Sequence, residues 1–329
     1  MSNRSVAIHF VRAALRGAER HGYDSNALLC AAGINAELLS QPRMRVDAAQ
    51  YTNLIKQLWE TLEDELMGFG SVRSRPGTFA MMCHTAIHCS TLERALQRGM
   101  LFYGLFADTP GISMSEEGDL VWLEIDTSMI DDPDHFLTES LVVIWHRLAS
   151  WLIGRRIPLE CAVFAYTAPA HHQEYQLIFG CRLQFDQTKT AVAIPQQYLQ
   201  MPLIQDARTL KRFLEQSPSD LLSRRDFGNS LSGRIRQLIG PNVGVEIPDM
   251  ESVAKQLNMS PPTLRRHLRE EGTSYQELKD HLRRDIAIYH LSRHNMPIQD
   301  LAALLGFSEP SAFHRAFKKW TGLTPGEYR

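Results

Sequence analysis

The chain has 329 residues, which is enough for about two domains of ordinary size. Hydrophobic residues make up 44% of it and charged residues 22%, so each domain can bury a core, and five widely spaced Cys argue against a disulfide framework. The formal net charge of −2 is unevenly distributed, because residues 230–329 contain 14 Lys and Arg against 11 Asp and Glu, whereas the remainder contains 21 against 26.

No apolar run reaches the ~18 residues that a membrane span needs. The first residues lack the apolar segment of a signal peptide. These features predict a cytoplasmic protein with no membrane partner. The positive balance of the last hundred residues is compatible with nucleic-acid binding, but it is too small to establish it.

Apolar residues recur with helical periodicity through most of the first hundred residues. The helices predicted there are 6–22, 26–32, 48–62, 79–89 and 92–106. Further helices are predicted at 134–152, 171–179 and 205–214.

Between these helices the periodicity changes to that of strands. Residues 111–115 and 120–125 predict a hairpin, and 159–166, 182–186 and 190–194 predict further strands. The fold class predicted for residues 1–214 is α+β, with helices packed on a small antiparallel sheet. Residues 215–229 contain Ser217, Pro218 and Ser219 and are the predicted linker, followed by an all-α domain over 230–329.

The last stretch predicts a helix-turn-helix unit. Asp300 is the predicted cap of a short helix over 301–305, and Gly306 makes the turn. Ser308 is the predicted cap of a longer helix with Pro310 in its first turn, which Gly322 ends. The apolar stripe of that helix is Phe313, Phe317 and Trp320, so its polar side chains lie on the other face.

The same pattern occurs once before. A short helix over 249–257 is followed by a turn at Asn258, a cap at Ser260 and a helix over 263–270 that Gly272 ends. Residues 275–295 predict one long helix between the two units, and a helix of that length spans about 30 Å. Successive major grooves on one face of DNA are about 34 Å apart, so one subunit can place a helix in each of two adjacent grooves.

These motifs resemble the DNA-binding domain of the AraC/XylS family of bacterial transcription regulators. The resemblance covers 247–329 and is carried above all by 298–302, 305–308, 313–320 and 322–329. Residues 22–214 are similar, more loosely, to the arabinose-binding-like N-terminal domain of one branch of that family, through 28–34, 90–96 and 175–185. Members of this branch control catabolic, virulence and quorum-linked genes, and arabinose is not implied as the ligand.

The resemblance implies which side chains meet DNA. Contacts to base edges fall to Pro262, Arg265, Arg266, Ser311, His314 and Arg315. Contacts to phosphates fall to Ser260, Arg269, Ser308, Lys318 and Lys319. The alternative for Arg265 and Arg266 is a solvated helix face or a salt bridge within the domain. For Arg315 the alternatives are packing against the apolar stripe and a contact to phosphate.

One cluster has the spacing of metal ligands. Cys83, His84, His88 and Cys89 place two His residues four positions apart on a predicted helix. Their neighbours are apolar, so we expect a structural role, and metal or thiol sensing remains the alternative. No catalytic motif is present, and we expect neither enzyme activity nor a cofactor or bound metal.

The sequence therefore predicts a ligand-responsive transcription regulator, an activator, whose effector lies between the sheet and the helices of the first domain. The Met and aromatic content of this domain suits an apolar ligand of the fatty-acid or acyl type. The alternative is an effector-independent regulator with an N-terminal dimerisation or protein-interaction module. The partners implied are promoter DNA, RNA polymerase and an unidentified small molecule, and a homodimer remains open.

Overall fold

The computed structural model describes residues 5–217, 231–239, 247–271, 273–293 and 296–329. Residues 218–229 of the predicted linker lie outside this range. The first part of the predicted linker belongs to a helix, because Ala207–Gln216 is helical and Ser217 caps its carboxyl end.

Helices make up most of the N-terminal region, as predicted. They are α1 (Ile8–Arg20), α2 (Ser25–Ala31), α3 (Ala48–Leu62), α4 (Thr78–Ala86), α5 (Leu92–Tyr103), α6 (Phe136–Leu152), α7 (His172–Phe179) and α8 (Ala207–Gln216). Several begin at a side-chain cap: Asp47 accepts a hydrogen bond from Ala49 N at α3, and Thr91 accepts one from Arg94 N at α5.

The strands form a five-stranded sheet and a two-stranded ribbon. They are β1 (Ser5–Ala7), β2 (Arg45–Asp47), β3 (Gly111–Glu117), β4 (Leu120–Asp126), β5 (Cys161–Val163), β6 (Arg182–Gln184) and β7 (Ala191–Pro195). The order in the sheet is β3-β4-β7-β5-β6, and α6 packs on it through Val142, Val143 and Leu148. The α+β architecture predicted for this region is confirmed.

Two details of the strands differ from the prediction. The strands predicted at 182–186 and 190–194 follow each other in the chain, but β5 lies between them, pairing antiparallel with β7 and parallel with β6. The reason is burial, since Ala162 and Val163 of β5 are apolar and buried, and a strand inside the sheet covers such residues better than an edge strand does.

The ribbon is the second difference. The predicted helix 6–22 begins only at Ile8, because Ser5–Ala7 pair antiparallel with Arg45–Asp47 in the register Val6↔Val46. Val6, Ala7 and Ile8 are all buried. Apolar residues at these positions fit a strand as well as the first turn of a helix, so the sequence did not indicate where the helix begins.

The C-terminal region is helical. Its described helices are α9 (Leu231–Ile239), α10 (Met250–Gln256), α11 (Pro261–Glu270), α12 (Tyr275–Ser292), α13 (Ile298–Leu304), α14 (Pro310–Thr321) and α15 (Pro325–Tyr328). The two predicted helix-turn-helix units are α10–α11 and α13–α14, and α12 is the predicted long helix between them. We call them the first and the second unit.

Two predicted caps in the second unit are wrong. Helix α13 begins at Ile298 after Pro297, so Asp300 lies inside its first turn. The residue before α14 is Glu309 and not Ser308, and no side chain caps that helix. Pro310 at its first position has no N–H group, so one fewer backbone donor is left unpaired at this end. In the first unit Ser260 is the cap, as predicted, and accepts a hydrogen bond from Thr263 N at 3.3 Å.

The hydrophobic cores do not follow the predicted domains. The first unit has its own small core, in which Leu264, Leu268 and Leu278 pack together. The second unit instead shares one continuous core with α1, α2 and α3, and Phe313 and Phe317 belong to it. The second unit is therefore attached to the N-terminal region by apolar packing.

Candidate nucleic-acid interface and effector cavities

The outer face of α11 carries the side chains predicted to meet DNA in the first unit. Pro262, Arg265, Arg266 and Arg269 are exposed, while Leu264 and Leu268 on the opposite face are buried. Arg266 Nε lies 3.7 Å from Glu270 Oε1, an exposed pair four residues apart. Such a pair contributes little to stability and leaves Arg266 able to reorient towards a base.

The outer face of α14 is its counterpart. Ser311, Arg315, Lys318 and Lys319 are exposed, whereas His314 is half-buried with its ring edge against Phe313. Arg315 therefore does not pack into the apolar stripe, which was one of the two alternatives for this residue, and a phosphate contact stays the other. Ser308 is also exposed, although it is not the cap of the helix.

Helix α12 connects the two faces. It has 18 residues, which corresponds to a length of about 27 Å. Its first half carries Tyr275 and Leu278 into the core of the first unit, and its second half carries Ile286 to Leu291 into the shared core. One rigid element thus holds both candidate recognition helices.

Buried polar contacts join α12 to the ribbon. Ser5 Oγ donates a hydrogen bond to Asp285 Oδ1, and Arg45 Nε donates one to the same Ser5 Oγ at 2.7 Å. Arg45 also pairs with Glu174 of α7, with Nη1 2.5 Å from Oε1. Ser5, Arg45 and Asp285 are each at most 5% exposed. A displacement of any one of their side chains therefore alters the hydrogen bonds of the other two.

An apolar cavity of about 180 Å³ lies beneath α6, between α3, α4 and β3. Its wall includes Trp59, Phe79, Tyr103, Leu141, Ile144 and Trp145. Leu214 and Ser217, at the end of α8, complete it, so the cavity reaches the last described residues before the predicted linker. This is the location between sheet and helices that the sequence predicted for an effector.

One carboxylate faces this apolar cavity, and the protein already satisfies it. Glu65 accepts hydrogen bonds from Gly77 N at 2.8 Å and from Phe79 N at 2.9 Å. Burial raises the pKa of Glu65, and these two backbone donors oppose that shift. The described lining contains no Lys or Arg, so no cationic side chain there would neutralise an anionic head group.

A second, polar cavity of about 60 Å³ lies between the ribbon, α6 and α7. Arg45, Glu139, Arg147 and Glu174 line it, and Val6, Phe10, Val143, Leu177 and Ile178 supply apolar wall. Glu139 is 3% exposed, and burial raises its pKa to about 7. The sequence did not predict this site; the available signal was one Glu and one Arg in a stretch, 136–152, whose other residues are mainly apolar and carry no full charge.

Histidines complete the surroundings of Glu139. His171 Nε2 lies 3.3 Å from Glu139 Oε1, and the His171 ring stacks on His9 with centroids 3.8 Å apart. Burial, with the neighbouring His171 second, lowers the pKa of His9 to about 3. His171 therefore belongs to a half-buried network with His9 and Glu139.

The Cys and His cluster does not form a site in the described structure. Cys83 is buried and burial raises the pKa of its thiol, so little thiolate is available for metal binding or oxidation. His84 and His88 are exposed, and His88 lies beyond the end of α4. Among the described residues no group of three or more His, Cys, Asp or Glu could hold a metal ion.

Comparison with known families decides the class of protein. Residues 22–203 match the family described as the arabinose-binding domain of AraC transcription regulators, N-terminal, and this match alone spans more than half of the chain. The chain belongs to the AraC family of transcription regulators. Residues 253–329 match a helix-turn-helix domain family, so this AraC-family chain is a DNA-binding regulator with an N-terminal ligand-binding domain.

Relatives within the family extend along the whole chain. The ornithine utilization regulator of Pseudomonas aeruginosa is 27% identical over 326 residues, which cover 98% of this chain and 96% of that protein. The uncharacterized regulator Rv1395 of Mycobacterium tuberculosis is 26% identical over 98% of this chain and 95% of its own. The regulator VirS of the same organism is 30% identical over 47% of this chain and 45% of its own.

In the part of this AraC-family chain that the structure describes, no helix is both long and apolar enough to cross a bilayer.

Proposed function

We propose that this AraC-family regulator is an activator that reads two half-sites in adjacent major grooves, one with each helix-turn-helix unit. The observation that supports this is the pair of exposed polar faces on α11 and α14, joined by one helix of about 27 Å. A span of that size approaches the ~34 Å repeat of the duplex, so a single subunit is sufficient to contact both grooves.

Within each face we assign direct roles to individual side chains. Arg265, Arg266 and Arg315 donate to base edges, where a guanidinium fits the two acceptors of guanine. Pro262, Ser311 and His314 add shorter base contacts. The phosphate-contacting set is Ser260, Arg269, Ser308, Lys318 and Lys319, all exposed.

The experiment is selection of duplexes from a random-sequence library by the purified full-length chain. The expected result is a bipartite site whose halves lie about 10 base pairs apart. Arg265→Ala should relax sequence preference in one half only, and Arg315→Ala in the other half only. Loss of preference in both halves with either variant, or no enriched sequence at all, would contradict the assignment.

We also propose that the apolar cavity binds a neutral acyl compound. Its aromatic and aliphatic wall suits an acyl chain, and Glu65 together with the lack of a basic residue in the described lining disfavours a free fatty acid. A ligand in the cavity would contact Leu214 and Ser217 at the end of α8. Through this contact it would change the conformation of the predicted linker that follows. A ligand acts in this way only by binding one arrangement of the chain more tightly than another.

The probe is N-hexanoyl homoserine lactone, with hexanoate as its anionic counterpart. The neutral compound should raise the melting temperature of the protein and the anion should not. Ala80→Phe, which places a ring in the cavity, should abolish the shift. Met81→Phe on the neighbouring, 59% exposed position is the matched control and should leave the shift unchanged.

Activation is tested separately by transcription with purified RNA polymerase from a template carrying the selected site. More transcript with the regulator than without it supports the activator role, and less transcript makes the chain a repressor. Unchanged melting and unchanged DNA affinity with every acyl probe would favour the effector-independent alternative. In that case sedimentation of the chain should reveal a dimer formed by the N-terminal region.

A further inference from the structure

The polar cavity between the ribbon, α6 and α7 differs in chemistry from the apolar cavity on the other side of α6. Two arginines, Arg45 and Arg147, and two glutamates, Glu139 and Glu174, face a volume of only about 60 Å³. Charged side chains of both signs make this cavity unsuited to a lipid chain. They complement a small zwitterion, a molecule that itself carries a positive and a negative group.

Glu139 marks the position of one end of such a molecule. Its Oε1 already accepts hydrogen bonds from Tyr175 Oη and from His171 Nε2. Its Oε2 is buried and has no hydrogen-bond partner among the described residues. A buried carboxylate oxygen without a donor costs about 1–3 kcal/mol, so a ligand that supplies a donor there recovers this free energy on binding.

An ammonium group is the donor that fits this oxygen best. It compensates the negative charge of Glu139 and still has two N–H bonds for other acceptors. The guanidinium groups of Arg45 and Arg147 line the same cavity and complement a carboxylate at the other end of the ligand. The volume corresponds to a few water molecules, which restricts the ligand to a short backbone with a small or outward-directed side chain.

We propose that this cavity is a second effector site, specific for a free α-amino acid, whose ammonium group binds Glu139 Oε2 and whose carboxylate faces the two arginines. The site is separate from the apolar cavity, although Ser140 of α6 borders both. Its influence on DNA binding rests on the proposed function of the two units, whereas amino-acid binding itself does not.

The position of the site gives it a route to the second unit. Ser5 and Arg45 line the cavity, and the same two side chains hold Asp285 of α12 through Ser5 Oγ. A ligand carboxylate near Arg45 competes with Asp285 for this polar cluster. Binding of the ligand therefore weakens the attachment of α12 to the ribbon. The size of this effect equals the difference between the ligand's binding free energies for the attached and the detached arrangement.

The test uses the full-length protein and a panel of free L-α-amino acids at millimolar concentration, read out by thermal shift and calorimetry in the absence of DNA. At least one amino acid should raise the melting temperature. Its decarboxylated amine and its deaminated acid, offered separately, should each bind at least about tenfold more weakly. No shift with any amino acid, or equal binding of the deaminated acid, would overturn the proposal.

Variants locate the binding. Glu139→Gln keeps an acceptor for Tyr175 but replaces the unpartnered oxygen by an amide N–H₂, and it should lower the affinity at least about tenfold. Ile178→Phe is the second variant, for the case that Glu139→Gln does not fold. The larger side chain at this half-buried position narrows the cavity and should also lower the affinity at least about tenfold. Glu65→Gln in the apolar cavity is the control and should bind the amino acid as the unaltered protein does. Full affinity in both cavity variants would place the ligand elsewhere.

The two proposals fail in different ways. Without sequence preference in duplex selection the proposed function falls, but calorimetry with amino acids still reports on the cavity. With sequence preference present and no amino acid bound, the cavity proposal alone falls.

Discussion

Arg293 Nη2 lies 3.1 Å from Asp47 Oδ1, and this ion pair joins the end of the connecting helix α12 to the start of α3. Asp47 is 2% exposed and its Oδ1 also accepts a hydrogen bond from Ala49 N at 2.9 Å. The same carboxylate therefore caps a helix of the N-terminal region and holds the end of α12, after which the second helix-turn-helix unit begins. Tyr328 Oη, which donates to Arg45 O at 3.0 Å, adds a neighbouring link from α15.

Removal of this ion pair should lower the free energy of unfolding. We expect Arg293→Met to cost about 1–2 kcal/mol, because a hydrogen bond to a buried charge is lost and one partner is solvent-accessible. Arg98→Met, at an exposed position of α5, should change stability by less than about 0.5 kcal/mol.

A double-mutant cycle with Asp47→Asn isolates the pair, because Asn remains a good cap for α3. Urea unfolding of the four proteins should give a coupling energy of about 1 kcal/mol. Independent, additive effects of the two substitutions would mean that the pair does not hold the second unit in solution.

Phosphate and base contacts should differ in their dependence on DNA sequence and salt. Lys318→Ala is expected to weaken binding to the selected site and to random duplex equally, and to reduce the slope of log K against log salt by about 1. Arg265→Ala should instead cost about 1–3 kcal/mol on the selected site and less on random DNA. Fluorescence anisotropy titrations at several salt concentrations measure both; equal losses for Arg265→Ala on the two duplexes would move Arg265 to the phosphate class.

Gly17 lets α1 approach the loop after α3 closely. A Cβ added to it would lie 1.8 Å from Met67 O, so backbone would have to move. We expect Gly17→Ala to destabilise the protein by about 3 kcal/mol, the upper end of the usual cost of overpacking. Gly326→Ala in α15 is the matched control, because its Cβ meets nothing within 4 Å and the change should be neutral or stabilise by up to about 1 kcal/mol. Thermal unfolding with equal effects for the two would disprove this close approach.

Glu139 and His9, two titratable groups near the polar cavity, should determine how the free energy of unfolding depends on pH. Glu139 has its pKa raised from 4.5 to about 7, so the folded state retains a proton that the unfolded state loses, and the free energy of unfolding falls as pH rises from about 4.5 to about 7. His9 has its pKa lowered from 6.5 to about 3, so the free energy of unfolding falls as pH drops below about 6.5. Between pH 4.5 and 6.5 the two effects oppose each other.

Single substitutions should separate the two effects. In Glu139→Gln the free energy of unfolding should rise with pH from about 4.5 to 6.5, by up to about 1.4 kcal/mol per pH unit. In His9→Gln it should fall over the same range. Denaturant unfolding at a series of pH values measures both slopes, and slopes of the same sign would show that one of these pKa shifts has been assigned the wrong direction.

Much of the candidate DNA interface was predictable because its signals are local. Caps, turn glycines and apolar spacing of 3 and 4 residues lie within one helix or one turn, as at Ser260, Gly322 and Phe313 to Phe317. The failures at Ser308 and Asp300 are also local, because several polar residues precede each helix and only backbone geometry selects the one at the cap.

The amino-acid sequence by itself determined the two helix-turn-helix units, the helix that joins them and the exposed polar faces on α11 and α14, since each depends on residues a few positions apart. Only the tertiary structure decided that Ser5 meets Asp285, that Arg293 meets Asp47 and that Glu139 keeps an unpartnered oxygen in a cavity. The first pair is separated by 280 residues and the second by 246, and no periodicity encodes contacts over such distances. They arise when burial of one continuous apolar core brings distant polar side chains together away from bulk solvent, where a hydrogen bond between them offsets the cost of desolvation.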